Sequence, residues 1–144
     1  MSEITDKMKT YTGTKTLKAT PMTKLEYNRY RGWPMPDTED PNEPIYLVEY
    51  AVEEDTKPNH PDHEGYISMS PKTVFEKYYR PADNFADRLR IEGDELSLKI
   101  VKLQNALTMN TVPEAEVDIL GIQLSAMTTY LNVLSMRIVK LDNV

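Results

Sequence analysis

The sequence predicts an α+β protein: a small N-terminal α+β domain followed by a long antiparallel two-helix hairpin that oligomerises. Two observations lead to this prediction. The composition changes near Arg80 and Pro81, because the chain up to that point holds nine of the ten prolines, eight of the nine tyrosines and the only tryptophan. Beyond it, aliphatic residues recur at helical spacing. We therefore place residues 1–81 in an accessory domain and residues 82–144 in the hairpin.

The N-terminal domain begins with alternating and turn-rich segments. Residues 9–19 are rich in threonine and roughly alternate, which predicts a strand or a bent hairpin. Residues 23–31 are typical of a short helix that Gly32 closes. The prolines that follow Trp33 favour extended, loop-like chain.

The strands of this domain are predicted from apolar and β-branched runs. Residues 45–52 form the clearest strand, and residues 66–69 a second one after a turn. Ser70 is expected to cap a short helix that has Pro71 at its first position.

The hairpin is predicted from two apolar stripes whose members lie three or four residues apart. The stripes are Leu89, Leu96, Ile100, Leu103 and Leu107, then Val117, Leu120, Leu124, Met127, Leu131, Leu134, Ile138 and Leu141. Asp83 or Asn84 caps the first helix, which runs to about Thr108. Residues 111–114 fit a capping box for a second helix that ends near Leu141. The loop is short, so the helices run antiparallel.

Both helices are apolar over more than one face. The additional apolar residues are Ile91, Leu98 and Val101 on the first helix and Ile119, Ile122, Ala126, Val133 and Met136 on the second. One partner helix cannot cover two faces. We expect hairpins from several chains to pack together, with the small domain contributing, so that pockets lie between chains.

Composition and charge exclude several classes of protein. The chain has no cysteine, which removes disulfides, thiolate catalysis and sulfur-ligated zinc. Its net charge is −6, and residues 37–64 hold ten acidic residues against one base, so no polymeric nucleic acid is expected as a partner. No uninterrupted run of about 18 apolar residues and no signal peptide is present, and we expect no membrane partner and a location in the cytoplasm.

Two candidate sites in the N-terminal domain have simpler explanations. His60, Asp62, His63 and Glu64 include metal-ligand types, but their spacing fits no zinc pattern and a solvated turn explains them, so no metal or other cofactor is predicted. The second group combines an aromatic and a basic surface that would suit a base or phosphate, although such residues more often fill the core of a small domain. It comprises Tyr27, Arg29, Tyr30, Arg31 and Trp33.

On the hairpin, polar and charged side chains lie among the apolar positions. Arg88 is expected to pair with Glu92, and Lys99 with Glu95, because each pair is four residues apart. Tyr130 and Arg137 differ: they lie two turns apart on one helix face. Together they would suit a nucleotide, with the ring stacking on a base and the guanidinium on a phosphate.

The sequence contains no motif that indicates catalysis. It has no glycine-rich phosphate loop, no nucleophile elbow and no serine–histidine arrangement. We therefore expect a binding protein and not an enzyme. A metal-dependent phosphodiesterase is the enzyme alternative, and it would need a metal on His60 and His63.

Residues 85–107 and 123–138 resemble helical-hairpin proteins of tailed and crAss-like phages, a group that includes phage anti-CBASS sponges. The second helix carries the more specific pattern, QLxAMxxYLxxLxxRI, from Gln123 to Ile138. Gly93 within the first helix, and Ala106 and Leu107 in place of an aromatic residue, depart from the expected pattern. Residues 11–33 and 58–81 resemble an N-terminal module found ahead of various small phage proteins.

The resemblance implies a homo-oligomer, commonly a hexamer, that binds a cyclic dinucleotide or cyclic trinucleotide in the host cytoplasm without cleaving it. Such a protein keeps the effector of CBASS or of Thoeris from being activated. The residues predicted to bind the ligand are Tyr130, Arg137, Lys99, Lys102 and Arg88. The alternative is an oligomeric phage adaptor, in which the hairpin only oligomerises and the acidic N-terminal domain binds a host protein.

Overall fold

The computed structural model describes residues 3–143, which divide into two compact units between Tyr79 and Arg80. The chain order of the elements is α1 (Glu3–Lys7), β1 (Leu17–Thr23), α2 (Lys24–Arg31), β2 (Pro44–Tyr50), β3 (Ile67–Pro71), α3 (Lys72–Tyr78), α4 (Phe85–Thr108), a 3₁₀ turn (Glu114–Glu116) and α5 (Val117–Asp142). The predicted α+β class is confirmed: helices pack on a small sheet in the first unit, and a helical hairpin forms the second.

The sheet of the N-terminal unit is antiparallel, in the order β1-β2-β3. Leu17 pairs with Tyr50 at one end of the β1–β2 ladder, and Ile45 pairs with Pro71 between β2 and β3. The prediction for residues 9–19 is wrong in position, since the strand begins at Leu17 and residues 8–16 have no regular structure. Pro21 is tolerated in β1 because an edge strand can lack a ladder donor.

Side chains alternate across β2, so that its two faces pack against different helices. On one face Ile45 and Leu47 form a buried core with Ile67 and with Tyr27 of α2. On the other, Tyr46 stacks on Phe75 of α3 with ring centroids 4.2 Å apart. The first unit therefore has a closed apolar core of its own.

Several helix boundaries lie where the local sequence predicts them. The Thr23 side chain accepts a hydrogen bond from the Glu26 amide, and Gly32 ends α2 in the left-handed conformation with a φ of 73°. Asn84 likewise caps α4 by accepting from the Asp87 amide at 2.8 Å. The predicted caps at Gly32 and Asn84 are confirmed, whereas Thr23, predicted as the first residue of the helix, is its cap.

Two other predicted caps are wrong. Ser70 and Pro71 belong to β3, and α3 begins at Lys72 without a side-chain cap, because pairing with β2 holds both residues in the ladder. The capping box at residues 111–114 does not form either. The Thr111 hydroxyl donates instead to the Ala106 carbonyl at the end of α4, and a 3₁₀ turn precedes α5.

In the hairpin, α4 and α5 bury their predicted stripes against each other. Leu89, Ile100 and Leu134 are buried, and Leu134 is fully enclosed. The predicted second faces remain uncovered: Leu98 is 64% exposed, Ile122 70% and Met136 71%.

The second helix of the hairpin has the length and composition of a membrane-crossing segment. Residues Glu114–Asp142 include an 18-residue window with a mean hydropathy of 1.2, and 6% of that window is buried inside the structure. The apolar residues are interrupted by polar ones such as Gln123 and Asn132. Length and composition alone do not separate a membrane span from a helix that packs against other chains.

Candidate functional site

Tyr130 lies on the hairpin and is 43% exposed. Its hydroxyl donates a hydrogen bond to the Glu92 carboxylate on the facing helix. This bond raises the pKa of Tyr130 above its ordinary value, as do burial and the negative charge of Glu92, while the positive charge of Arg137 lowers it. The phenol therefore stays protonated and fixed at its tip, and part of its ring surface is open for stacking.

Arg137 packs against an aromatic residue that the sequence analysis did not select. Its guanidinium lies over the Phe85 ring, 5.5 Å from the centroid. Phe85 is the first residue of α4 and is half exposed. The ring holds the guanidinium in place and leaves its N–H donors available for an anion.

A small hollow adjoins this contact. It has a volume of about 170 Å³ and is lined by Phe85, Leu89, Arg137, Lys140 and Leu141. Lys140 is three residues from Arg137 and lies on the same side of α5. The hollow thus combines an apolar floor with two cations, a combination that suits an aromatic molecule carrying a negative charge.

The predicted ion pairs of Arg88 with Glu92 and of Lys99 with Glu95 do not form. The Arg88 guanidinium donates to the Ala82 carbonyl at 3.3 Å, and Glu92 instead accepts from Tyr130. Within residues 3–143, no carboxylate lies at salt-bridge distance from any of the four predicted cations of the site, which are Arg88, Lys99, Lys102 and Arg137. All four remain available to a ligand.

Of the five predicted residues, the structure shows Tyr130 and Arg137 close together. Tyr130 and Arg137 lie close enough for their charges to interact. Lys99 and Lys102 are exposed and one turn apart on α4, and Arg88 lies eleven residues before Lys99, about 16 Å along the helix. Within the described residues, no hydrogen bond or ring contact joins either lysine to Tyr130 or Arg137.

The candidate metal residues of the N-terminal unit have other partners. His63 bridges two side chains: its Nδ1 lies 2.6 Å from a Glu49 carboxylate oxygen, and its Nε2 lies 2.6 Å from the Tyr30 hydroxyl. His60 stacks on the Tyr30 ring at 4.3 Å. Across residues 3–143, no three His, Cys, Asp or Glu side chains are grouped so that they could hold a metal ion.

The residues of the predicted aromatic and basic surface do not form one surface, because some are buried in the core and others are exposed. Tyr27 belongs to the buried core, while Trp33 is half exposed. Arg31 joins them, since its guanidinium lies 4.3 Å from the Trp33 ring and donates to the Tyr27 hydroxyl at 2.8 Å. Arg29 is exposed on α2.

The fold defines a class: a small α+β unit joined to a helical hairpin that presents an aromatic ring and unpaired cations. The Sequestin family model matches residues 83–140, which include all of α4 and nearly all of α5. The match covers less than half of the chain. The hairpin is therefore similar to the Sequestin family. No curated protein and no solved structure matches the chain significantly.

Proposed function

We propose that the protein is a phage anti-defence protein that binds cyclic oligonucleotide immune signals in the host cytoplasm and withholds them from their effector without cleaving them. The observation that carries this proposal is the Sequestin match over residues 83–140, the same segment that presents the Tyr130 ring and the unpaired Arg137 guanidinium. The ligand we propose is a cyclic dinucleotide or cyclic trinucleotide of CBASS or of Thoeris.

The chemistry of the hairpin supports a ligand with bases and phosphates. Tyr130 offers a partly open ring for stacking. Arg137 and Lys140 offer charge-assisted hydrogen bonds to phosphate beside it. A sponge must bind on the order of nanomolar, which corresponds to about −12 kcal/mol, and stacking combined with charged phosphate contacts can reach that range. Glu92 beside Tyr130 would repel a phosphate, so we place the phosphates towards Arg137.

We propose that the complete pocket lies between hairpins of a homo-oligomer, with a hexamer as the assembly. The exposed apolar faces at Ile122 and Met136 need a cover, and a second hairpin supplies one of matching shape. Lys99 and Lys102 lie on α4, and Arg137 lies on α5. A neighbouring chain would bring its own lysines to that guanidinium.

We favour other hairpins over a membrane as the cover for α5. Asn132 and Ser135 are exposed polar residues within its apolar part, and lipid offers them no hydrogen-bond partners. A contact between protein chains can satisfy such groups. Sedimentation of the protein with and without anionic lipid vesicles tests this choice, since co-sedimentation with vesicles would favour the membrane.

The proposed function is tested by calorimetry of the purified protein against cyclic dinucleotides, cyclic trinucleotides and cyclic ADP-ribose isomers. We expect nanomolar binding to at least one of them. The double variant Tyr130→Ala, Arg137→Ala should lower that affinity by at least about a hundredfold while the oligomer stays intact. A matched control is Tyr66→Ala, Arg29→Ala, which removes the same residue types from exposed positions in the other unit.

The same double variant separates the sponge from the oligomeric adaptor. If Tyr130 and Arg137 only support subunit contacts, the variant will dissociate the oligomer, and no cyclic nucleotide will bind the unmodified protein. The adaptor is favoured by the acidic character of residues 37–64, which suits a basic surface on a host protein. If none of the cyclic nucleotides binds the unmodified protein, the sponge proposal is overturned.

A further inference from the structure

Glu92 is an acidic side chain at the edge of the ring that we propose for stacking. It lies on α4, and its carboxylate accepts a hydrogen bond from the hydroxyl of Tyr130 on α5. The hydroxyl is the outer end of the phenol, so the carboxylate lies just beyond the stacking surface. A base that stacks on the Tyr130 ring therefore presents one of its edges to Glu92.

The carboxylate of Glu92 has acceptor capacity that the hairpin does not use. Within residues 3–143, Tyr130 is the one side chain that bonds to it, and no lysine, arginine or histidine pairs with it. Two carboxylate oxygens offer about four acceptor positions, so about three remain open. Glu92 is exposed, and a ligand can reach these positions.

The Glu92–Tyr130 pair offers a ligand an acceptor and no donor. The hydrogen bond to Glu92 raises the pKa of Tyr130 above its ordinary value, so the hydroxyl keeps its proton and directs it to the carboxylate. An ionised carboxylate accepts hydrogen bonds and donates none. The edge of a stacked base must then supply the donors.

The common bases differ in how well they meet a carboxylate. Guanine carries two adjacent donors on one edge, the N1–H and the 2-amino group. Adenine and cytosine place an unprotonated ring nitrogen beside their amino group, and uracil has a carbonyl oxygen on each side of its N3–H. These lone pairs would face the negative charge of Glu92, whereas guanine offers it two parallel hydrogen bonds.

The charges along the hairpin orient a nucleotide in the same way. The contact between Phe85 and Arg137 lies two turns from the contact between Glu92 and Tyr130 on both helices, a rise of about 10 Å. Lys140 lies beside Arg137. Cations attract phosphates and Glu92 repels them, so the phosphates point towards Arg137 and the base edge is left to Glu92.

We propose that Glu92 selects guanine, because its carboxylate accepts the N1–H and 2-amino donors of a guanine base that stacks on Tyr130. The ligand is then a cyclic oligonucleotide that contains guanine. Glu92 determines which base binds, and Arg137 holds the phosphates. This inference rests on the proposed function and sharpens it by naming the base.

Calorimetry with matched pairs of ligands tests the choice of base. The full-length protein is titrated with cyclic di-GMP and cyclic di-AMP. It is also titrated with two cyclic trinucleotides, one with two adenines and one guanine and the other with three adenines. In the ring size that binds, the guanine-containing ligand should bind at least about tenfold more tightly than its adenine counterpart.

Three variants separate selection of the base from support of the Tyr130 ring. Glu92→Gln puts an amide donor opposite the guanine donors and should lower guanine-ligand affinity about tenfold or more, with a much smaller loss for the adenine ligand. Tyr130→Phe removes the hydrogen bond but keeps the ring and the carboxylate, so the preference for guanine should persist. Glu114→Gln, at an exposed position between the helices, makes the same charge change and should bind like the unmodified protein.

Two results would overturn this inference and leave the proposed function standing. One is equal affinity for the two members of the pair that binds. The other is an equal loss for both members in Glu92→Gln, which would show that Glu92 only supports the ring. If no cyclic nucleotide binds the unmodified protein, the proposed function fails and this inference fails with it.

Discussion

The two units of the molecule differ in how completely each one covers its own apolar surface. In the N-terminal unit, Ile45 and Ile67 are almost wholly buried between the sheet and α2. In the hairpin, Leu134 is enclosed but Ile122 and Met136 are about 70% exposed. The N-terminal unit therefore buries its apolar core, whereas the hairpin leaves a second apolar face exposed.

The difference teaches where partners should be sought. A unit with a closed core has already buried its own apolar residues. A hairpin with an uncovered face gains stability by association, which also creates pockets between chains. If the hairpin assembles as we propose, the two units should respond differently to mutation and to protein concentration.

The largest effect is expected from charges placed on the uncovered face. The double variant Ile122→Glu, Met136→Glu should dissociate the proposed oligomer, because each carboxylate buried unpaired in the interface costs several kcal/mol. Light scattering after size-exclusion chromatography measures the mass. The control Gln104→Glu, Asn105→Asp adds the same charge at exposed polar positions of α4 and should leave the mass unchanged. An unaltered mass in the first variant would mean that this face is not an interface.

The next effect compares the two buried cores. Ile67→Ala and Leu134→Ala should each cost about 2–5 kcal/mol in the free energy of unfolding, because both residues are fully enclosed. Unfolding of the first unit is followed by Trp33 fluorescence, and unfolding of the hairpin by helical circular dichroism. Raising the protein concentration should stabilise the hairpin transition alone. A fluorescence transition that shifts equally would show that the first unit also depends on association.

A smaller and pH-dependent effect is expected at Glu49. Hydrogen bonds from His63 and from the Gly65 amide hold the pKa of its carboxyl below the ordinary value of 4.5. The unfolded chain therefore takes up the proton first as the pH falls, so the stabilisation is present above about pH 4.5 and is lost below it, as pH passes through the folded pKa.

The variant Glu49→Gln tests this linkage. Melting temperatures followed by Trp33 fluorescence should fall more steeply below pH 4.5 in the unmodified protein than in the variant. Parallel curves would show that Glu49 contributes nothing to the acid sensitivity of the first unit. The hairpin transition is the internal reference, since Glu49 and His63 both lie in the N-terminal unit.

The smallest effect is expected at Gly93 in the middle of α4. A Cβ at this position would meet only the Ile138 side chain within residues 3–143, at an ordinary contact distance of 3.8 Å. Gly93→Ala should therefore stabilise the hairpin by up to about 1 kcal/mol, through helix propensity. Chemical denaturation measures the change. Gly65→Ala is the contrasting variant, because its Cβ would lie 2.3 Å from the Tyr50 carbonyl oxygen and should destabilise the sheet.

The sequence was sufficient to predict structure where that structure depends on residues close together in the chain. The Asn84 cap and the Gly32 terminus involve bonds within a few residues, and the apolar stripes require only helical spacing. It failed at Ser70, where pairing with β2 overrides the local cap signal. The same holds for the capping box at residues 111–114, where Thr111 binds the end of α4 instead.

The candidate site on the hairpin shows the same contrast between features that near neighbours determine and features that distant contacts determine. The spacing of Tyr130 and Arg137 predicts that they share one face of α5, whereas the roles of Glu92 and Phe85 depend on contacts across the hairpin. Lys140 was within reach of sequence reasoning, since it lies three residues from Arg137. The cavity of the N-terminal unit lined by Lys24, Asn28 and Trp33 was not, because Met69 and Glu39 join its lining only through the packing of the sheet and the loop.

The measurement that tests the central claim most directly is recovery of the ligand. The purified oligomer is incubated with each cyclic nucleotide at stoichiometric concentration, washed, denatured, and the released material is identified by chromatography. The account predicts that at least one cyclic nucleotide is retained by the oligomer and returned chemically intact. Release of linear products would contradict sequestration without cleavage, and retention of none of them would contradict the proposed function itself.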